Sequence, residues 1–150
     1  MATASTDSRE EGGGGSLTGE RLRFQDFAFQ RLASGRCRAK VVLSAADGRL
    51  FTGESEGVIS QAGELRCSAA ATVRALERAV QPTLGFDLMG VKAVRAFDAT
   101  VVIVSLSVRQ EARASRLVGA CLTEDNPPRG AALAVLNATN RILGNFFATR

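Results

Sequence analysis

Residues 100–108, TVVIVSLSV, decide how the chain is read. Val102, Val104, Leu106 and Val108 form one alternate set, and Val101, Ile103, Ser105 and Ser107 the other. A period of two in a run rich in β-branched residues is a strand with one face on a core. The first set is assigned to the core. The second set is not fully polar, because it includes Val101 and Ile103. A sheet with a second apolar face favours sheet-to-sheet or partner association.

The neighbouring segments extend this strand into a sheet. Upstream, GVKAVRAF (residues 90–97) reads as a strand that ends in a tight turn at Asp98-Ala99. Downstream, the polar RQEARAS makes a turn, and RLVGACL (116–122) returns. Connections this short join antiparallel neighbours. After TEDNPP, Pro127 and Pro128 suit the start of a helix over 129–147. That helix contains AVLNATNRILGNF (134–146), which places Asn140 among Leu133, Leu136, Leu143 and Phe147. A buried amide is costly unless paired. Asn140 is therefore expected to bond to backbone and to fix how the helix docks, with Arg141 beside it as a second structural polar residue. Asn137, Arg141 and Asn145 make a polar stripe assigned to solvent or a partner.

The N-terminal half is read the same way. CRAKVVLSA (37–45) is a strand, and Asp47-Gly48 signals a hairpin into 49–54. GVISQAGE continues as a short strand or loop. Residues 68–81 read as a helix capped by Ser68, with Ala69, Val73, Leu76 and Val80 on its apolar stripe and Pro82 beyond its end. In ERLRFQDFAFQRLASG (20–35), Phe24, Phe27, Ala28 and Leu32 fall at helical spacing, whereas Phe27 and Phe29 alternate as in a strand; the helix is preferred. The expected organisation is a polar, glycine-rich disordered tail over 1–19, an amphipathic helical segment over 20–36, and an α+β domain over 37–150. Its order is β-β-(β)-α-β-β-β-α: a two-layer sandwich, mainly antiparallel, with two helices on one sheet face. No internal sequence repeat is evident.

Composition narrows the chemistry. The 150 residues contain no His, Trp or Tyr. The usual general base near neutral pH is missing, as is the commonest transition-metal ligand. No motif assigns a catalytic residue, a metal site or a cofactor, so the chain is not read as an enzyme. Cys37, Cys67 and Cys121 are odd in number and share no C-x-x-C spacing, which suits reduced thiols in a cytoplasm. A helix start beside Cys67 would lower its thiol pKa, but such cysteines are commonly inert. No run of about 18 apolar residues spans a membrane, and the first residues lack the apolar core of a secretion signal. The net charge is +4, and of 19 cations only Lys40 and Lys92 are lysine. Arg21, Arg23, Arg31, Arg36, Arg38 and Lys40 cluster in one segment. They motivate an alternative reading as a nucleic-acid-binding module, although no Tyr or Trp platform accompanies them.

Four segments carry a resemblance: LSAADGRLFTGESEG (43–57), AAATVRAL (69–76), AVRAFDATVVIVSLSV (93–108) and LVGACLTEDNPPRGAALAVLNATNRIL (117–143). Together they resemble the C-terminal regulatory domain of α-isopropylmalate synthases and its counterpart in citramalate synthases. Leu136, Asn140 and Arg141 are similar to a string near that domain's end, with changed spacing. The departures are the two prolines at 127 and 128 and the lack of any catalytic barrel in this stretch. The resemblance implies a non-catalytic module that forms a homodimer and binds a small amino acid or keto acid near the dimer interface. It places the ligand between Gly119 and Gly130, with Gly119, Arg129 and Gly130 as candidate residues. The leading expectation is thus a cytoplasmic domain that self-associates through an apolar sheet face and senses a small metabolite.

Overall fold

The computed structural model describes residues 22–148. The expected tail over 1–19 and Arg21 lie outside them. The fold is α+β, as the alternation in 100–108 leads one to expect, but it is built from two sheets rather than one. Strands β1 (Arg23–Arg31), β2 (Arg36–Ser44) and β3 (Leu50–Val58) form the first antiparallel sheet, followed by helix α1 (Gln61–Val80). Strands β4 (Leu84–Ala96), β5 (Ala99–Gln110) and β6 (Arg113–Thr123) form the second, followed by helix α2 (Pro127–Ala148). Each sheet carries its own helix, and the two helices also pack on each other. The inner faces of both sheets and both helices share one core, with Val41, Leu43, Leu76, Val102, Val104, Leu106 and Val135 fully buried.

The two βββα halves repeat one another. Val41 pairs with Gly53 in the first sheet, and Val104, 63 positions later, pairs with Gly119 in the second. Gly53 faces Ala71 and Ala75 of α1, and Gly119 faces Ala134 and Ala138 of α2, at the same offset on the helices. A Cβ on Gly53 would sit 2.1 Å from the Ala71 carbonyl oxygen; one on Gly119 would sit 2.2 Å from that of Ala134. Only glycine allows helix and strand to approach so closely. Arg74 Nη1 donates to the Glu54 carbonyl at 2.6 Å, and Asn137 Nδ2 donates to the Ala120 carbonyl at 2.6 Å. Ser60 Oγ accepts from Gly63 N at the start of α1, and Thr123 Oγ1 accepts from Asn126 N just before α2. Both leading strands carry a bulge near their beginnings, between Phe24 and Asp26 and between Leu88 and Gly90. Sequence identity hides this repeat because packing fixes only a few small residues and leaves the rest to vary.

Several sequence expectations are corrected. The described part of the segment 20–36 forms no α-helix: residues 23–31 are β1, which pairs with β2 from Arg23↔Ser44 to Arg31↔Cys37, and Ala33–Gly35 make a single 3-10 turn. The Phe27–Phe29 alternation wins because β2 offers Val41 and Ala39 as cross-strand partners. The folded unit therefore begins before residue 37. Helix α1 starts at Gln61 rather than at residue 68, and Ser60 is its cap. Ser68 lies inside the helix, fully buried, and its hydroxyl has no partner among the described residues. Ala62-Gly63 reads as a turn in sequence but lies in the first turn of α1, where a Cβ at 63 would sit 2.2 Å from the Val58 carbonyl oxygen. Strand β4 begins at residue 84 rather than 90. The Asp47-Gly48 hairpin is present with a different turn: Gly48 alone takes a positive φ there, +90°, Gly48 N donates to the Ala45 carbonyl, and the Asp47 carboxylate accepts from Arg49 N. Among the described residues, no helix is long and apolar enough to cross a membrane.

Candidate functional site

The alternation that makes β1 a strand places Phe27, Phe29 and Arg31 on its inner side. Phe29 and Arg31 then meet the first turn of α1, where Glu64 turns inward. Arg31 Nη2 lies 3.1 Å from Glu64 Oε1, and Nε lies 3.3 Å from Oε2, a two-pronged ion pair between residues 33 positions apart. The Glu64 side chain is largely buried, whereas that of Arg31 is mostly exposed. The loop before α2 closes the other side. Phe29, Arg31, Gln61, Glu64, Leu65 and residues 125–128 surround a cavity of about 390 Å³. Its walls come from equivalent places in the two halves, since Gln61–Leu65 begin α1 and Asp125–Pro128 lead into α2. One guanidinium, two carboxylates (Glu64 and Asp125) and apolar surface from Phe29, Leu65 and the two prolines meet there. Asn126 ends the loop: its side-chain oxygen accepts from Arg129 N at 3.2 Å, and its carbonyl accepts from Gly130 N at 3.0 Å. Pro127 and Pro128 cost this helix start no partners that Asn126 would otherwise serve.

The residues proposed from sequence divide into three groups. Gly119 and Gly130 are buried against α2 and its neighbours: Gly119 under Ala134 and Ala138, Gly130 against Thr123 and Val102. Close packing requires glycine at 119, whereas a Cβ at 130 would make a tight side-chain contact, 3.1 Å from Thr123 Cγ2. Arg129 is exposed, and its guanidinium lies over the Phe24 ring at 5.2 Å, next to the cavity rather than lining it. Asn140 is half-buried and its side chain bonds to no described residue, so the amide–backbone hydrogen bond expected for it is not made; Arg141 is exposed. The amide that ties α2 to its sheet is Asn137, through the Ala120 carbonyl. Asn140 has a counterpart in the first half. It occupies the position of Glu77, whose carboxylate accepts from Phe86 N at the start of β4.

The basic segment becomes the outer face of the first sheet and its margin. Arg38 Nη2 bonds to Glu56 Oε2 at 2.7 Å, and Arg36 lies 3.7 Å from the same carboxylate. The Arg38 guanidinium holds the Glu56 carboxyl below its ordinary pKa. Lys40 stands opposite Glu54, and Arg31 is held by Glu64. This face alternates in sign, whereas a phosphate-binding surface presents unopposed cations; Arg23 lies at the strand's start. The lowered thiol pKa considered for Cys67 is also corrected. Burial in mid-helix, with the Cys37 thiol beside it, pushes Cys67 up to about 11. Burial also raises Cys121 above the ordinary thiol value.

Sequence reasoning names Arg31 only within the basic segment and misses its pairing with Glu64, because the two are far apart in the chain and carry no motif. The signal was there in part: a strand reading of Phe27 and Phe29 puts Arg31 on the same side. No protein-family model and no curated protein matches the chain.

Proposed function

We propose that this chain is a non-catalytic regulatory domain that senses a small amino acid or keto acid and works by self-association in the cytoplasm. The observation that carries the sensing role is the cavity between the two helix starts. A small amino acid carries a carboxylate, an ammonium group and a side chain, and the cavity offers Arg31 to the first, Glu64 or Asp125 to the second, and Phe29, Leu65 and the prolines to an aliphatic third. Its volume lies in the range of small-molecule sites. Walls drawn from both halves give a ligand a way to bias how the halves sit together, which is what a sensor requires. A reducing compartment agrees with three free thiols, two of them buried.

Thermal-shift measurements with leucine, valine, isoleucine and their 2-keto acids test the sensing role. A ligand at about 100 times its Kd stabilises by about 2.7 kcal/mol, which is readily seen as a rise in Tm. Arg31→Ala and Glu64→Gln should abolish that rise while the protein stays folded. No shift with any of these compounds at millimolar concentration counts against the sensing role.

A further inference from the structure

The repeat allows the two outer sheet faces to be compared position by position. On the first sheet, the centre is a charged square: Arg38 and Lys40 of β2 stand opposite Glu56 and Glu54 of β3. The equivalent square on the second sheet is Val101 and Ile103 of β5 opposite Leu122 and Ala120 of β6. Val94 of β4 flanks Val101, and Val118 of β6 lies opposite Ser105 on the same face. Val118 is 66% exposed, Leu122 59% and Val94 39%. No described element covers them. At the border of the face, in the β4–β5 turn, Phe97 is 96% exposed and has a positive φ of 55°, a conformation that bulky side chains avoid.

We infer that the outer face of the second sheet binds the same face of a second copy of this chain. This rests on the self-association part of the function proposed above and identifies the surface that performs it. Three arguments select a second copy. On this face Lys92 stands beside Ile103 on β4, Arg116 beside Ser107 on β6, and Asp87 pairs with Arg109 at the far end, so a two-fold contact centred between β5 and β6 sets the uncharged Val101, Ile103, Ala120 and Leu122 at its middle. The chain's other sheet face is unsuitable as the partner, because Arg38, Lys40, Glu54 and Glu56 would lose hydration against valine and leucine. The area is also sufficient: the patch and the Phe97 ring expose roughly 500 Å² of apolar surface, so two copies bury about 1,000 Å², the lower bound for a specific interface.

The test is light scattering and sedimentation velocity on the full chain from about 1 to about 100 µM, for the wild type and three variants. Val118→Lys and Leu122→Glu charge the inferred face on an edge strand, where charge is tolerated; Leu50→Lys charges an equally exposed residue on the first sheet. Circular dichroism and Tm check folding, and Val118→Ser serves if either charged variant unfolds. The expected result is a wild-type dimer, a Kd raised at least about 30-fold by Val118→Lys and Leu122→Glu and measurably by Val118→Ser, and no change with Leu50→Lys. A dimer that survives the changes at 118 and 122 overturns this surface but leaves self-association standing. A dimer lost equally in Leu50→Lys also overturns the surface. A wild type that is monomeric throughout overturns both, while the thermal shift with metabolites is read independently.

Discussion

Replacing Gly119 by alanine sets a methyl group 2.2 Å from the Ala134 carbonyl oxygen, 2.5 Å from Ala138 N and 2.7 Å from Ala138 Cβ. Two of these three atoms are backbone, so no side-chain rotation relieves the contact. Helix α2 must lift from β6 by about 1 Å, which also stretches the Asn137–Ala120 hydrogen bond. Overpacking of this kind costs about 1–3 kcal/mol, and a strained hydrogen bond adds about 1 kcal/mol. The expected loss for Gly119→Ala is thus about 2–4 kcal/mol. Gly53→Ala, with 2.1 Å and 2.5 Å to backbone atoms of α1, should cost the same. Two further glycines calibrate the series. Gly57→Ala meets its nearest atom at 3.3 Å and should cost less than about 1 kcal/mol; Gly144→Ala, in α2 with nothing within 4 Å, should gain up to about 1 kcal/mol from helix propensity. Urea denaturation monitored by circular dichroism gives all four values. If Gly119→Ala and Gly144→Ala proved equally stable, the close strand–helix packing and the repeat built on it would be refuted. The variant also separates two roles for Gly119. A packing glycine lowers stability whether or not metabolite is present, whereas a ligand-contact glycine mainly lowers the metabolite-induced rise in Tm.

Removing the paired strand contacts tests the repeat independently. Arg74→Ala and Asn137→Ala should each cost about 1 kcal/mol in urea denaturation, and a large difference between them would break the equivalence. Asn140→Leu should be neutral or stabilise by up to about 1 kcal/mol, because no hydrogen bond is lost and apolar area is gained, whereas Glu77→Ala should cost about 1–2 kcal/mol by orphaning Phe86 N. Cys67, with its thiol pushed up to about 11, should resist a disulfide reagent in the native state at pH 8, as should buried Cys37. The sign of the linked stability follows from the neutral form being favoured in the fold. Its contribution is complete below pH 9, the ordinary thiol value, and is lost as pH rises towards 11. Cys67→Ser should flatten that alkaline decline in thermal melts.

What could be read from the sequence follows the length scale of the interactions. The β5 alternation needs only neighbouring residues, and Val102, Val104, Leu106 and Val108 are buried as that pattern requires. The β1 segment carries both periods at once, so the choice rests on β2, which is recognised only in three dimensions. The split into two sheets is a further step away, because hairpin signals fix local neighbours but not where one sheet stops. For the cavity, the loop at 125–128 was visible as a helix start. Its opposite wall depends on a strand assignment and on an ion pair across 33 positions. Asn140 shows a different limit. The helix wheel places it among apolar neighbours, but a wheel cannot tell that Glu77, at the same position in the other half, bonds to Phe86 N while Asn140 makes no such bond to a described residue.

The two halves supply an internal control on what the fold itself requires. Gly53 and Gly119, Ala71 and Ala134, Ala75 and Ala138, and the hydroxyl acceptors Ser60 and Thr123 correspond, so these features belong to the βββα unit. The outer faces do not correspond. Arg38, Lys40, Glu54 and Glu56 on one sheet show that the unit folds with a charged, well-solvated exterior. Folding therefore does not demand Val101, Ile103, Ala120 and Leu122 on the other. Exposed valine and leucine on a sheet face carry an aggregation hazard that the first half avoids. A surface that the same fold builds safely with charges, yet here builds with hydrocarbon, is accounted for by what it contacts. That reasoning makes replacement of the apolar square by its charged counterpart, Val101→Arg, Ile103→Lys, Ala120→Glu and Leu122→Glu together, the strictest test. The variant should fold with near wild-type stability as a monomer, and a variant that unfolds would show that the apolar face serves the fold instead.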